Sequence, residues 1–167
     1  LSYPASKFNI TSPKYPKLNF SFEKGFGATN PNYNYDHLSV NISQNFSLEN
    51  KGDFSYKLLS GTFFGAESVA FMDAKHINGN QTHVNLNDSY LSNFKNVGYY
   101  DFSTSDNYLE YHFEHDFKGY VLGKIPFINK LNYNLILGVH GFTVKQQKPY
   151  NELSVGINNI GWKKYRF

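Results

Sequence analysis

Glu110, His112, Glu114 and Asp116 alternate along residues 107–117, and on an extended strand that spacing sends all four side chains to one face. Carboxylates and imidazoles ligate metals and move protons, so the stripe first suggests a metal-dependent hydrolase or an acid–base pair. The spacing argues against both. Side chains two positions apart on a strand lie about 6.5–7 Å apart along it, too far for four ligands to gather on one ion. A polar wall facing a water-filled lumen accounts for the same stripe, so Glu110, His112, Glu114 and Asp116 are read as lumen-facing. No catalytic, cofactor-binding or metal-ligating residue is assigned, and no cofactor is expected.

The other candidates are weaker. His76 and His83 lie near Asp73, Asn80 and Asp88 in a polar stretch where oxygen ligands could take calcium, but the spacing matches neither an EF-hand nor a zinc motif. Ser60-Gly61 and Gly79-Asn80 lack the flanking residues of a nucleophile elbow or a phosphate loop. Six Asn-Xaa-Ser/Thr triplets are what 21 asparagines produce by chance, and they are not read as glycosylation sites. Tyr99, Tyr100, Tyr108, Tyr120, Trp162 and Tyr165 are amphipathic rings suited to the headgroup level of a bilayer, with glycan or base stacking as the alternative.

The elements that carry these residues have a period of two. Leu38, Val40, Ile42, Phe46 and Leu48 alternate with Ser39, Asn41, Ser43, Asn45 and Ser47, interrupted on the apolar side only by Gln44. Such a strand meets an apolar medium on one face and water or a polar lumen on the other. Leu109, Tyr111, Phe113 and Phe117 form the apolar counterpart of the acidic stripe. Tyr133, Leu135, Leu137 and Val139 make another apolar row, Leu153, Val155 and Ile157 a further one, and Leu18, Phe20 and Phe22 a shorter one. Residues 54–65 are strand-like but blurred by consecutive Leu58 and Leu59.

The connections differ in length. Residues 25–34 are long and rich in Gly, Asn and Pro, residues 49–52 form a tight turn, and residues 67–106 are too long for a hairpin, although 68–72 could extend a strand into them. Residues 118–130 read as a compact connection with a short amphipathic turn, and 145–151 as a polar loop. Long loops on one side and short turns on the other suit an outer-membrane barrel.

Composition fits this pattern. The chain of 167 residues holds 14 Tyr and 16 Phe, yet its mean hydropathy is −0.52, as expected for strands with one apolar face. No run approaches the roughly 20 apolar residues of a membrane-spanning helix, so only a barrel, with strands of about 9–11 residues, would cross a membrane. Absence of Cys excludes thiolate zinc sites, disulfides and Cys nucleophiles. The net charge of +3 is spread along the chain without a basic block, so no nucleic-acid partner is expected.

Four ordered stretches carry a family resemblance: residues 78–82 (Asn-Gly-Asn-Gln-Thr), 98–108 (Gly-Tyr-Tyr-Asp-Phe-Ser-Thr-Ser-Asp-Asn-Tyr), 119–131, and 150–160 (Tyr-Asn-Glu-Leu-Ser-Val-Gly-Ile-Asn-Asn-Ile). On these the chain resembles the C-terminal barrel of outer-membrane proteins of unknown function with an N-terminal carboxypeptidase-regulatory-like β-sandwich. That barrel is similar to those of the surface-antigen and outer-membrane assembly superfamily. The resemblance implies no peptidase chemistry and transfers no catalytic residue. It also implies further strands beyond residue 160, so the chain is expected to be a fragment. The run Trp162-Lys163-Lys164-Tyr165-Arg166-Phe167, which looks like a barrel-insertion signal, is on that view an accidental end.

The expected fold class is all-β: an incomplete antiparallel up-and-down transmembrane β-barrel, about six or seven strands of a larger one. Residues 1–167 form the partial barrel and 67–106 a long extracellular loop within it. The expected role is structural, transport-related or assembly-related, without catalysis, in the outer membrane of a Gram-negative bacterium. Outer-membrane lipid and the remaining strands and N-terminal domain of the parent chain would be its partners. A soluble β-sandwich adhesin or carbohydrate-binding module is the alternative.

Overall fold

A computed structural model describes residues 15–80, 90–145, 147–162 and 165–166. Six antiparallel strands make one sheet: β1 (Lys17–Gly25), β2 (Tyr35–Ser47), β3 (Asp53–Phe64), β6 (Tyr108–Asp116), β7 (Asn134–Val144) and β8 (Tyr150–Asn158). The short strands β4 (Lys75–His76) and β5 (Ser103–Thr104) pair with each other inside the β3–β6 connection, and β9 (Gly161–Trp162) pairs with β10 (Tyr165–Arg166). The order in the main sheet is β1-β2-β3-β6-β7-β8, so each strand lies beside its neighbour in sequence once the excursion is passed over. Each of the six coincides with one of the alternating segments of the sequence. The edges β1 and β8 do not pair with each other, and no closed barrel is formed among the described residues.

Register fixes which side chains share a face. Phe20 stands opposite Val40, Val40 opposite Ser60, Ser60 opposite Leu109, and Leu109 opposite Thr143. Nearer the other end Phe46, Phe54, His115, Leu137 and Val155 form a second row across five strands. This outer face is dominated by Leu, Val, Ile and Phe, and much of it is bare, with Phe20 at 73%, Leu153 at 79% and Val155 at 74% exposure.

The inner face is polar along β1 and β2 but becomes apolar at one end of the central strands. There Phe63, Tyr108, Phe142 and Val144 join Ile77, Phe94 and Val97 of the long β3–β6 connection in the hydrophobic core. The described parts of this connection, 67–80 and 90–106, therefore fold back over the inner face. Leu58 and Leu59 are both accommodated, since Leu58 points outward opposite Tyr111 while Leu59 packs against this core.

Several local expectations change. Residues 68–72 do not prolong β3: Phe71–Asp73 is a 3-10 turn. Residues 118–130 hold two such turns, Leu122–Lys124 and Asn129–Leu131, with Phe127 88% exposed. The loop asymmetry is partial, because residues 145–149 make a short connection at the same end of the sheet as 26–34 and 65–107, while 117–133 span the opposite end. Tyr108 is not an interfacial ring: it is 4% exposed and faces inward. Trp162 and Tyr165 have no described side chains, and His83 and Asp88 lie outside the described residues.

The β2–β3 turn depends on Gly52. Its φ of 103° is a conformation that L side chains rarely adopt, and a Cβ there would overlap the carbonyl of Asp116. Gly52→Ala is expected to cost about 1–3 kcal/mol through backbone strain. A lowered unfolding midpoint in detergent would be the sign of it; a midpoint equal to that of the parent would mean the turn is built otherwise.

Candidate functional site

Strands β6, β7 and β8 place Glu110, His112, His140, Ser154 and Glu152 side by side on the inner face. His112 stands opposite His140 across the β6–β7 pair, and His140 opposite Glu152 across β7–β8. All but Ser154 are buried: Glu110 is 1% exposed, His112 and His140 0%, and Glu152 6%. The acidic stripe is thus not a hydrated wall along its length. Its Glu110 end lies beneath the long connection, while Asp116 at the other end accepts a hydrogen bond from the Lys118 amide.

The buried groups form a directed chain. Glu110 Oε1 lies 2.8 Å from His112 Nε2, and a carboxylate only accepts, so His112 Nε2–H donates to it. In a neutral ring that leaves His112 Nδ1 as an acceptor. It faces His140 Nδ1 at 2.9 Å, so His140 donates there and keeps Nε2 to accept from the Ser154 hydroxyl at 3.2 Å. Each nitrogen of both rings has one role and one partner. Gly138 makes room for this, since a Cβ at that position would overlap Ser154 Oγ and stand 2.6 Å from His140 Nε2.

Charges from the long connection close the cluster. Lys75 Nζ lies 3.4 Å from Glu110 Oε2, an oxygen that makes no hydrogen bond, and Lys95 Nζ lies 3.8 Å from Glu114. Burial pushes the Lys95 ammonium below the usual lysine range, while Glu114 and Glu152 pull it back up. Glu152 grips the backbone of the connection: its carboxylate accepts from the Lys95 amide at 2.7 Å, the Asn96 amide at 3.1 Å and the Tyr150 hydroxyl at 3.1 Å. Phe94 sits over the histidines, its ring 4.9 Å from His112 and 6.3 Å from His140, and is walled by Phe142 and Tyr150.

The arrangement is a latch between wall and connection. Buried polar groups cost free energy unless they are paired, and here the wall supplies carboxylates where the connection supplies amides and ammonium groups. Of the stripe, Glu110 and His112 touch, Glu114 lies 3.7 Å from His140, and Asp116 is remote. No group of three His, Asp or Glu side chains is arranged to hold a metal among the described residues, the neighbourhood of His76, Asp73 and Asn80 included. Sequence reasoning missed His140 and Glu152. Their inward parity was visible from the apolar rows that flank them, but the cross-strand register that sets His140 against His112 was not.

Residues 1–157 match a family described as the C-terminal domain of a family of unknown function (DUF5686). No curated protein and no solved structure matches the chain.

Proposed function

The chain is a member of the DUF5686 C-terminal domain family, and with that as premise we propose that it forms part of the wall of a Gram-negative outer-membrane β-barrel, with residues 67–80 and 90–106 occupying the lumen as a plug. One observation carries the reading: six strands present a continuous, largely bare apolar face outward while the long connection covers part of the polar inner face. A water-soluble protein hides the apolar face instead, and bare apolar patches of more than a few hundred Å² mark contact with another apolar body. Lipid is that body in this proposal. The edges β1 and β8 would pair with the remaining strands of the parent chain, which would also carry the N-terminal carboxypeptidase-regulatory-like domain. The role is structural, transport-related or assembly-related without catalysis, and no nucleic acid is involved.

Spin labels at Val40→Cys and Leu153→Cys on the outer face, and at Asn45→Cys on the inner face, test it in the full-length parent in lipid vesicles. Val40 and Leu153 labels are expected to collide with dissolved oxygen far more than with a water-soluble nickel chelate, with the reverse at Asn45. Equal chelate access on both faces would defeat the proposal and favour a soluble β-sandwich with adhesin or carbohydrate-binding character.

A further inference from the structure

We propose that a cavity in the β3–β6 connection binds a neutral sugar, one or two pyranose rings in size. The cavity holds about 450 Å³ and is lined by His76, Ile77, Asn78, Gly79, Asn93, Tyr99 and Tyr100. That volume falls within the range of small-ligand sites, which combine apolar and aromatic walls with a few placed polar groups.

The lining has the chemistry that hydroxylated rings require. Tyr99 and Tyr100 are 49% and 61% exposed, and both are aromatic rings of the kind that pack on the C–H side of a sugar. The Tyr100 ring is held, edge-on to His76 at 4.9 Å and 5.7 Å from Phe71. Its backbone carries φ 64°, uncommon for a bulky residue and a conformation that gathers at ligand sites. His76 Nδ1 is taken by Ser103 Oγ at 2.7 Å, and among the described residues Nε2 has no hydrogen-bond partner. Among the described residues the carboxamides of Asn78 and Asn93 have none either, and each can donate and accept in the manner that vicinal hydroxyls need. No charged side chain lines the cavity, which disfavours phosphorylated or acidic ligands.

The floor is built before any ligand arrives. Asn80 N donates to Val97 O at 2.7 Å, Phe94 N to Asn78 O at 2.9 Å and Ile77 N to Phe102 O at 3.0 Å, tying both sides of the cavity together through backbone. Gly79 is buried, and a Cβ there would overlap the Val97 and Gly98 carbonyls, so the strands of the floor approach as only glycine permits. A preformed site loses less on binding than one that must order itself.

The test is an array of immobilised neutral oligosaccharides of glucose, galactose, mannose and N-acetylhexosamine, probed with the full-length parent in detergent, followed by saturation-transfer NMR on the hits. Saturable binding is expected for at least one sugar, weakened tenfold or more by Tyr100→Ala and by Asn78→Ala, and unchanged by Tyr120→Phe at the opposite end of the sheet. Absence of binding across the array, retention of full affinity in both cavity variants, or stronger binding of adenosine than of any sugar would each overturn the proposal. Membrane insertion is not needed for this binding, so its failure and the failure of the barrel reading are separately visible.

Discussion

Phe94→Ala is expected to destabilise the docked connection by about 3–5 kcal/mol, the usual cost of truncating a fully buried aromatic side chain. Phe94 is 0% exposed, and its side chain touches both histidines and both aromatic walls, Phe142 at 5.2 Å and Tyr150 at 5.9 Å. Its loss opens a void above the hydrogen-bonded chain of Glu110, His112, His140 and Ser154, and water entering there competes with the hydrogen bond between the rings. The sheet itself keeps its ladders, so the effect is local. Limited proteolysis should show cleavage within residues 67–106 at protease levels that leave the unsubstituted protein intact, with the β-sheet circular-dichroism signal retained. Parental resistance to protease would mean that Phe94 does not hold the connection down.

Glu152→Ala strikes the other half of the latch. It leaves the Lys95 amide, the Asn96 amide and the Tyr150 hydroxyl without their acceptor, and each part-buried donor so orphaned costs about 1 kcal/mol, for a total of about 3 kcal/mol. Glu152→Gln keeps one oxygen acceptor and should fall between the two. Hydrogen exchange reads this at the atoms concerned: a loss of about 3 kcal/mol corresponds to roughly 100-fold faster exchange at the Lys95 and Asn96 amides. Unchanged exchange in Glu152→Ala would show that the carboxylate does not clamp the connection. Together the two variants separate packing from hydrogen bonding, since only Glu152 has a graded polar substitute.

The sheet was legible from sequence because its outer face follows a simple rule. Leu38, Val40 and Ile42, or Leu153, Val155 and Ile157, repeat every second residue, and that period survives whatever the strands pack against. The inner face was less legible because the long connection covers one part of it and leaves the rest bare. Where the connection docks, the wall turns apolar at Phe63, Phe142 and Val144, and those residues blur the alternation that identifies a strand. Ile77, Phe94, Val97 and Phe102 looked like scattered apolar residues in a polar stretch, yet they are what anchors that stretch. The acidic stripe shares one strand face, as alternation requires, but its environment follows from contacts distant in sequence, such as Lys75 with Glu110 and His112 with His140. Alternation gives side-chain parity; it carries no information about which loop returns to cover it.

The strand order has a consequence for how such a chain assembles. Within β1–β2–β3 and within β6–β7–β8 every pairing closes over a short or moderate connection, whereas β3 and β6 meet only after the chain has travelled through residues 65–107. Closure entropy grows with the logarithm of loop length, about 0.6 kcal/mol per doubling, so the long detour adds little to the equilibrium cost. Its effect is on sequence of events: two three-stranded hairpin stacks can form early and independently, and the seam between them zips last. The latch residues all lie on one side of that seam, with Lys75 and Lys95 on the detour and Glu110, His140 and Glu152 on the later stack, so the connection can seat on β6–β7–β8 before the final zipping step.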